Sequence, residues 1–346
     1  MSRNYDENTI VKNGVSRPGI KYYSVDEEFF DVRGVIRENG AFVRIPKAVA
    51  EHVSEGISHN YVYNAGGRIR FVTNSPYVAV SAKINAIFHI PIMAMTGTCG
   101  LDIYADGDFC GIIRPNADKP ELLLSDVVNM RYAGEHLIEI NLPLYASVQE
   151  ISIGIDENAT LKTAPKYTRD KPIVFYGSSI TNGACSTRPG LSYPSRISRM
   201  LDSDYLNLGF GGLCKAESVM VDYIASLDMS AFVLDYDHNA PHVNYLEQTH
   251  EKAYLTVRAK HPRIPIIMVS CPRSDLSGDW GERLNVIKKT YDNAVKAGDK
   301  NVYIINGSEF FGELGYDYSI DGIHPTDLGF DIMARKIGSV LKETLE

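Results

Sequence analysis

The second half of this 346-residue chain holds a serine, a glycine-rich turn, an asparagine and an aspartate–histidine pair, each placed just after an apolar run or a turn. The serine stands in Tyr176-Gly177-Ser178-Ser179-Ile180-Thr181-Asn182-Gly183. A hydroxyl there is a nucleophile only if a neighbouring base takes its proton; otherwise such a serine caps a helix. A base is offered by Asp321-Gly322-Ile323-His324-Pro325. Three residues apart in a tight turn, the Asp321 carboxylate can reach Nδ1–H of His324 and leave Nε2 free to deprotonate Ser179. Pro325 suits the first position of a final helix, so the pair is expected in the turn entering it. Glycines in Asn207-Leu208-Gly209-Phe210-Gly211-Gly212 let backbone N–H groups come close to a ligand. In Asp237-His238-Asn239-Ala240, Asn239 is a neutral amide able to donate to developing negative charge. Singly these are a cap, a flexible turn, a turn asparagine and a solvated carboxylate. Together, in this order, they point to acyl transfer.

Other chemistries fit less well. The Ser179 loop lacks the GxxxxGK[ST] of a P-loop, the GxGxxG of a dinucleotide turn and the GxSxG of a nucleophile elbow. Asp237, His238 and His242 lie close together, but Pro241 interrupts them and no metal-ligand spacing results. No metal and no cofactor is expected. The net charge of −8, with no basic stripe, excludes nucleic acid as a partner. No stretch approaches the roughly 18 apolar residues that cross a bilayer, so no membrane partner is expected either. The opening residues carry no apolar core of a leader, and the five cysteines are scattered. Reduced thiols in a cytoplasmic protein are the expectation. A homo-oligomer is compatible with the sequence.

Two kinds of segment must position these groups. In residues 1–168, Arg68-Ile69-Arg70-Phe71, the set Val78, Val80, Ala82 and Ile84, and Ile151–Ile155 alternate with period two. Asp106-Gly107 between apolar stretches predicts a type I′ hairpin. With no long helix, this half reads as a β-sandwich. A polar, proline-containing stretch at 162–172 predicts the boundary. In residues 169–346, apolar runs at 173–176, 205–208, 232–236, 264–269 and 302–305 alternate with helical periods at 192–202, 215–227, 246–260, 283–297 and 327–344. That is the pattern of a doubly wound parallel sheet, whose ligand crevice lies beyond the carboxyl ends of the strands. Every candidate residue above follows such a run or enters the last helix.

The four stretches resemble the blocks of the SGNH/GDSL hydrolases. Gly177-Ser178-Ser179-Ile180 is similar to the first block, with Ser178 in place of the usual aspartate and Ser179 at the nucleophile. Gly212 stands at the second-block glycine and Asn239 at the third-block asparagine, although Asp237 replaces a glycine and Ala240 an aspartate. Asp321 and His324 match the fifth block as they stand. The resemblance implies a flavodoxin-like five-stranded sheet and an oxyanion site made by the N–H groups of Ser179 and Gly212 and the Asn239 amide. Gly100-Leu101-Asp102-Ile103-Tyr104 is similar to the GxDLY motif of a β-rich domain found ahead of some SGNH hydrolases, which implies a jelly-roll-like sandwich with Asp102 serving its fold. The expected substrate is a small acyl ester, an acetylated sugar first, with Asp237, His238, Arg188 and Arg273 as contacts. Acyl transfer by the same residues, or a carbohydrate-binding protein with an inert hydrolase half, are the alternatives.

Overall fold

The computed structural model describes residues 15, 17–86, 90–115, 123–273 and 275–345; the opening stretch read above for a leader lies outside them. Residues 20–163 build two antiparallel sheets. One has the spatial order Ile20–Ser24, Val148–Asp156, Tyr77–Ile84, Leu123–Asn129. The other runs Leu161–Thr163, Arg68–Thr73, His136–Asn141, Leu101–Ala105, Asp108–Ile113, and Asp31–Arg33 also pairs with Arg68–Thr73. Taking the strands that begin at Ile20, Arg68, Tyr77, Leu101, Asp108, Leu123, His136 and Val148 as first to eighth, the sheets read first-eighth-third-sixth and second-seventh-fourth-fifth. This is the double Greek key of a jelly roll. The period-two pattern sets its core: Val78, Val80, Ala82, Ile153 and Ile155 from one sheet pack with Ile69, Phe71, Ile103, Ile138 and Ile140 from the other. Asp106 and Gly107 both have positive φ, 52° and 86°, and join paired strands as the expected two-residue turn.

After the edge strand Leu161–Thr163, Arg169–Gly177 opens a parallel sheet. Its spatial order is Ser203–Gly209, Arg169–Gly177, Ala231–Asp235, Ile266–Val269, Val302–Ile305, which is 2-1-3-4-5 in chain order, the flavodoxin-like arrangement. The apolar runs are continuous because both faces are covered. Val174 and Tyr176 pack with the helices Ser218–Ser226, Val243–Lys260 and Asp279–Lys296. Ile173 and Phe175 pack with Tyr193–Leu201 and Asp327–Leu345 on the opposite face. The chain reverses direction across the sheet between the second and third strands, so the crevice opens at the ends of Arg169–Gly177 and Ala231–Asp235. Gly177 is level with both Gly209 and Asp235, and three loops therefore leave the sheet at one height.

The two parts interlock. Arg68, fully buried, pairs with Asp204 and donates to Tyr167 Oη at 2.8 Å, while Arg33 also reaches Asp204 at 3.1 Å. Short helices Lys47–Val53 and Glu55–Asn60, from the first half of the chain, place Ala50 and Ile57 in the core of the parallel sheet.

Candidate active site

The strand Arg169–Gly177 ends at a glycine that cannot be anything larger: a Cβ there would lie 2.1 Å from Thr181 Oγ1 and 2.3 Å from the Asp235 carbonyl. The turn it permits starts the one-turn helix Ser179–Asn182. Ser178 is fully buried and caps that helix, its Oγ accepting from Ile180 N–H at 3.1 Å. Ser179 Oγ instead lies 2.8 Å from His324 Nε2. His324 Nδ1 is 2.8 Å from Asp321 Oδ2. Of the two neighbouring serines, only the second faces an imidazole.

The Asp321–His324 turn is built by its own carboxylate. Asp321 Oδ1 accepts the N–H groups of Ile323 at 3.0 Å and His324 at 2.8 Å, and Gly322 takes φ 82°. Partial burial raises the Asp321 carboxyl, but the His324 N–H, the imidazole and the Ile323 N–H outweigh it and hold it below the usual range. Pro325 differs from expectation. The helix begins at Asp327, with Thr326 Oγ1 accepting from Gly329 N–H at 3.4 Å, and Pro325 bridges back to Ser319 as an isolated β-pair. Ile320 N–H donates to the His324 carbonyl at 2.9 Å, closing the turn on both sides. Proline is tolerated because that bridge, not the helix, sets its backbone.

Beyond Ser203–Gly209, the exposed Gly212 takes φ 72°, with open space where a Cβ would stand. A Cβ on its neighbour Gly211 would lie 3.6 Å from Ser179 Cβ, which places this loop beside the hydroxyl. Neither the Ser179 nor the Gly212 N–H donates to another described residue. One assignment of the Asn239 amide would turn its nitrogen toward two donors, the Leu213 and Cys214 N–H groups, with only the Phe210 carbonyl, at 3.4 Å, to accept from it. The amide is assigned the opposite way, so that its oxygen accepts from both N–H groups, each 3.2 Å away. Its NH2 end is therefore the free donor. A hydroxyl, an oriented imidazole and donors of this kind at one sheet edge can perform acyl transfer. Thiols do not compete. Burial, with Asp321 nearby, pushes the Cys185 thiol up to about 12, and burial does the same for Cys214.

Residues 170–342, half of the chain, match the model of the GDSL-like lipase/acylhydrolase family. The chain belongs to this family. It is an ester-bond hydrolase. The GxDLY N-terminus of SGNH hydrolase-type esterases matches residues 20–161. Among curated proteins none matches the chain. A Bacteroides ovatus protein described as a GDSL-like lipase superposes with TM-score 0.84 at 27% identity, over 94% of this chain and 98% of its own. A salicylyl-acyltransferase from a tetracycline biosynthetic pathway gives 0.78 at 20% identity, over 96% and 100%. An acetyl xylan esterase from Butyrivibrio proteoclasticus gives 0.61 at 12%, over 94% and 98%. The latter two share the fold, both halves included.

Around this GDSL-like site the four expected contact residues separate. His238 lies in the electrostatic neighbourhood of His324 and Asp321, and burial, then His324, lowers it to about 4, so its ring is neutral. It stacks on Trp280 at 4.9 Å. Arg273 pairs with Asp275 at 3.3 Å and lies 5.3 Å from both the Trp280 and Tyr316 rings. Asp237 points into the protein: it is 1% exposed, its Oδ2 accepts from Cys271 N–H at 3.1 Å, and burial raises it to about 6. Arg188 turns away to the sandwich, 3.6 Å above the Phe109 ring and 3.0 Å from Tyr104 Oη. Its guanidinium is drawn by an aromatic face and by Asp102, neither of which adjoins it in sequence. Among the described residues no group of three or more His, Cys, Asp or Glu is arranged to hold a metal.

Three contributions from the sandwich half had no sequence signal as site residues. Asp102 of the GxDLY motif accepts the Gly190 N–H at 2.9 Å, so it ties down a hydrolase loop as well as serving its own strand. The Leu144 carbonyl accepts from Asn182 Nδ2 at 3.1 Å. Arg44 bonds Asn182 and Gly209.

Proposed function

We propose that the chain is a serine esterase that removes small acyl groups, acetyl first, from hydroxyl-rich alcohols such as sugars. The reading rests on one observation, the continuous relay from Ser179 Oγ through His324 to Asp321 at 2.8 Å in each step. Ser179 Oγ attacks the ester carbonyl as His324 Nε2 takes its proton, and Asp321 stabilises the imidazolium. The N–H groups of Ser179 and Gly212 and the Asn239 amide receive the oxyanion. The imidazolium then protonates the leaving alcohol, and water, deprotonated by His324, releases the acid.

The short-acyl reading takes the Gly211 turn, which packs beside Ser179 and Tyr145, as one side of the acyl pocket. A methyl on Gly211 would already sit 3.6 Å from Ser179 Cβ and 3.3 Å from Tyr145 Oη. The His238–Trp280 stack with Arg273 and Asp275 adjoins the site through His238, which feels His324 and Asp321, and such a mixture of flat rings and polar groups suits sugar hydroxyls. The acetyl xylan esterase that shares both halves of the fold acts, by its name, on such an ester. Acyl transfer is the second reading, since a named acyltransferase shares the same two-part fold from end to end. Five scattered cysteines, without metal-ligand spacing, suit a reducing, cytoplasmic setting, and among the described residues no helix is long and apolar enough to cross a membrane.

The test is hydrolysis of p-nitrophenyl esters of graded chain length alongside acetylated xylose and glucose derivatives. Acetate release fastest from the sugar esters, falling steeply with acyl length, is expected. Turnover that rises with chain length would overturn the short-acyl reading. Product ester that appears with added alcohol at the expense of free acid would move the assignment to acyl transfer.

A further inference from the structure

Arg44, Arg68, Arg70 and Arg283 are the buried arginines among the described residues. Arg68 is paired with Asp204, Arg70 with Asp31, and Arg283 with Asp279. Arg44, only 4% exposed, has no carboxylate within ion-pair distance among the described residues. A guanidinium taken out of water nearly always has a counter-charge, because an uncompensated buried ion is costly. An unpaired one therefore needs another account.

Its contacts supply it. Nη1 donates to the Gly209 carbonyl and, at 3.0 Å, to Asn182 Oδ1. Nη2 donates to the Asn60 carbonyl at 3.2 Å, and the guanidinium lies 3.9 Å from the centre of the Phe210 ring. Asn182 closes the one-turn helix that Ser179 opens, and Gly209 and Phe210 begin the loop that leads to Gly212. One side chain from the first half of the chain thus joins the Ser179 helix to the loop that passes beside it at Gly211 and carries Gly212. Asn207 makes a parallel tie, donating to the Thr181 carbonyl at 2.8 Å and accepting from Gly209 N–H at 2.9 Å, but it brings no charge.

We infer that Arg44 is a positioning residue for the oxyanion site: it fixes the Gly209–Gly212 loop against the Ser179 helix, and its buried charge meets a counter-charge only when the tetrahedral intermediate forms. The inference rests on the reading of Ser179 as the acyl-enzyme nucleophile. Burial lowers the guanidinium to about 10, so it is charged at neutral pH. The bound ester is neutral and gains little from this field, whereas the developing oxyanion gains more in a low-dielectric site. An interaction made only in the transition state lowers kcat and leaves KM in place when it is removed.

The experiment compares wild type with Arg44→Met and Arg44→Lys, reading p-nitrophenyl acetate kcat and KM, inhibition by phenylboronic acid, and thermal melting. Boronate forms a tetrahedral anion on Ser179 and so reports the oxyanion site without turnover. Arg44→Met is expected to lose about 30- to 100-fold in kcat with KM within about twofold, and to lose boronate affinity by the same factor. Arg44→Lys, which keeps the charge without the fork, should recover to within about tenfold of wild type. The inference is overturned if Arg44→Met keeps kcat within about threefold, if boronate affinity stays while kcat falls, or if lysine restores nothing. Should Arg44→Met not fold, Arg44→Lys decides: a matched fall in kcat and boronate affinity supports the role, and an unmatched one overturns it. Wild-type protein that neither turns over the ester nor binds boronate would sink the Ser179 reading and this inference together; an active wild type beside an unaffected Arg44→Met sinks this one alone.

Discussion

The parallel sheet and the jelly roll divide the work of one site unequally. The sheet brings Ser179, Gly212, Asn239 and His324 to a common edge, because its strand order forces three loops out at the same height and returns the last loop to meet them. The jelly roll offers the relay none of its members. Its side chains and carbonyls reach the backs of those loops instead: Asp102 to Gly190, Leu144 to Asn182, Arg44 to Asn182 and Gly209. Topology can gather reactive groups, but sub-ångström placement of a loop needs partners outside it. In this family member those partners come from the preceding region.

The comparison predicts how damage should differ between the two regions. The largest effect belongs to the relay: Ser179→Ala is expected to cost at least about 10⁴-fold in esterase turnover while melting stays near wild type. Steady-state assays and fluorophosphonate labelling check it, and a residual rate within tenfold of wild type would break the division at its root. Asn239→Ala should come next, with about 10²- to 10³-fold lost from kcat, on the order of 3 kcal/mol. A KM effect without a kcat effect would move Asn239 from the oxyanion to substrate binding.

Asp102, on the jelly-roll side, should register in stability rather than in turnover. Burial lifts its carboxyl from 3.8 to about 6, against the pull of Arg199, Arg188 and the Gly190 N–H. Below about pH 4 folded and unfolded chains both hold the proton, and the group costs nothing. Between those two values the unfolded chain releases its proton first, so this contribution weakens as pH rises and levels off above about 6. Asn at this position has no proton to lose. Denaturant melts from pH 4 to 7 should show Asp102→Asn gaining on wild type by at most about 3 kcal/mol. A difference flat in pH would refute the buried-carboxyl account.

The smallest effect is expected at Ser178. Its hydroxyl caps the Ser179 helix, so Ser178→Ala should cost about 1 kcal/mol of stability and leave turnover within about tenfold. Loss of activity here, with Ser179→Ala active, would reverse the two serines.

Sequence alone carried the elements well wherever a local period governs them. Alternation marked the sandwich strands, and continuous apolar runs marked strands buried on two faces, because each pattern reflects how many sides of a strand meet the core. The meeting of Ser179 with His324 was legible from the strand-end rule and the Asp321 turn. Arg44 was not: it is 138 residues from Asn182 and 165 from Gly209, and nothing beside it in the chain announces either. Arg188 misled for the same reason, its aromatic and acidic partners lying on strands about 80 residues earlier. Pro325 suggested a helix start because proline fits one, whereas a bridge to Ser319 satisfies the same φ restriction.

The Arg68–Asp204 pair has a consequence for the order in which the chain is made. The jelly roll can close only after Val148–Asp156 has been synthesised, since that strand lies between Ile20–Ser24 and Tyr77–Ile84. Asp204 lies on a strand of the parallel sheet, about 50 residues further along the chain than the end of Val148–Asp156, so Arg68 gains this carboxylate only when the second half is in place. The strand Ser203–Gly209 thus brings the carboxylate that pairs with a buried cation of the preceding half, and the charge balance of this interface is complete only with both halves docked.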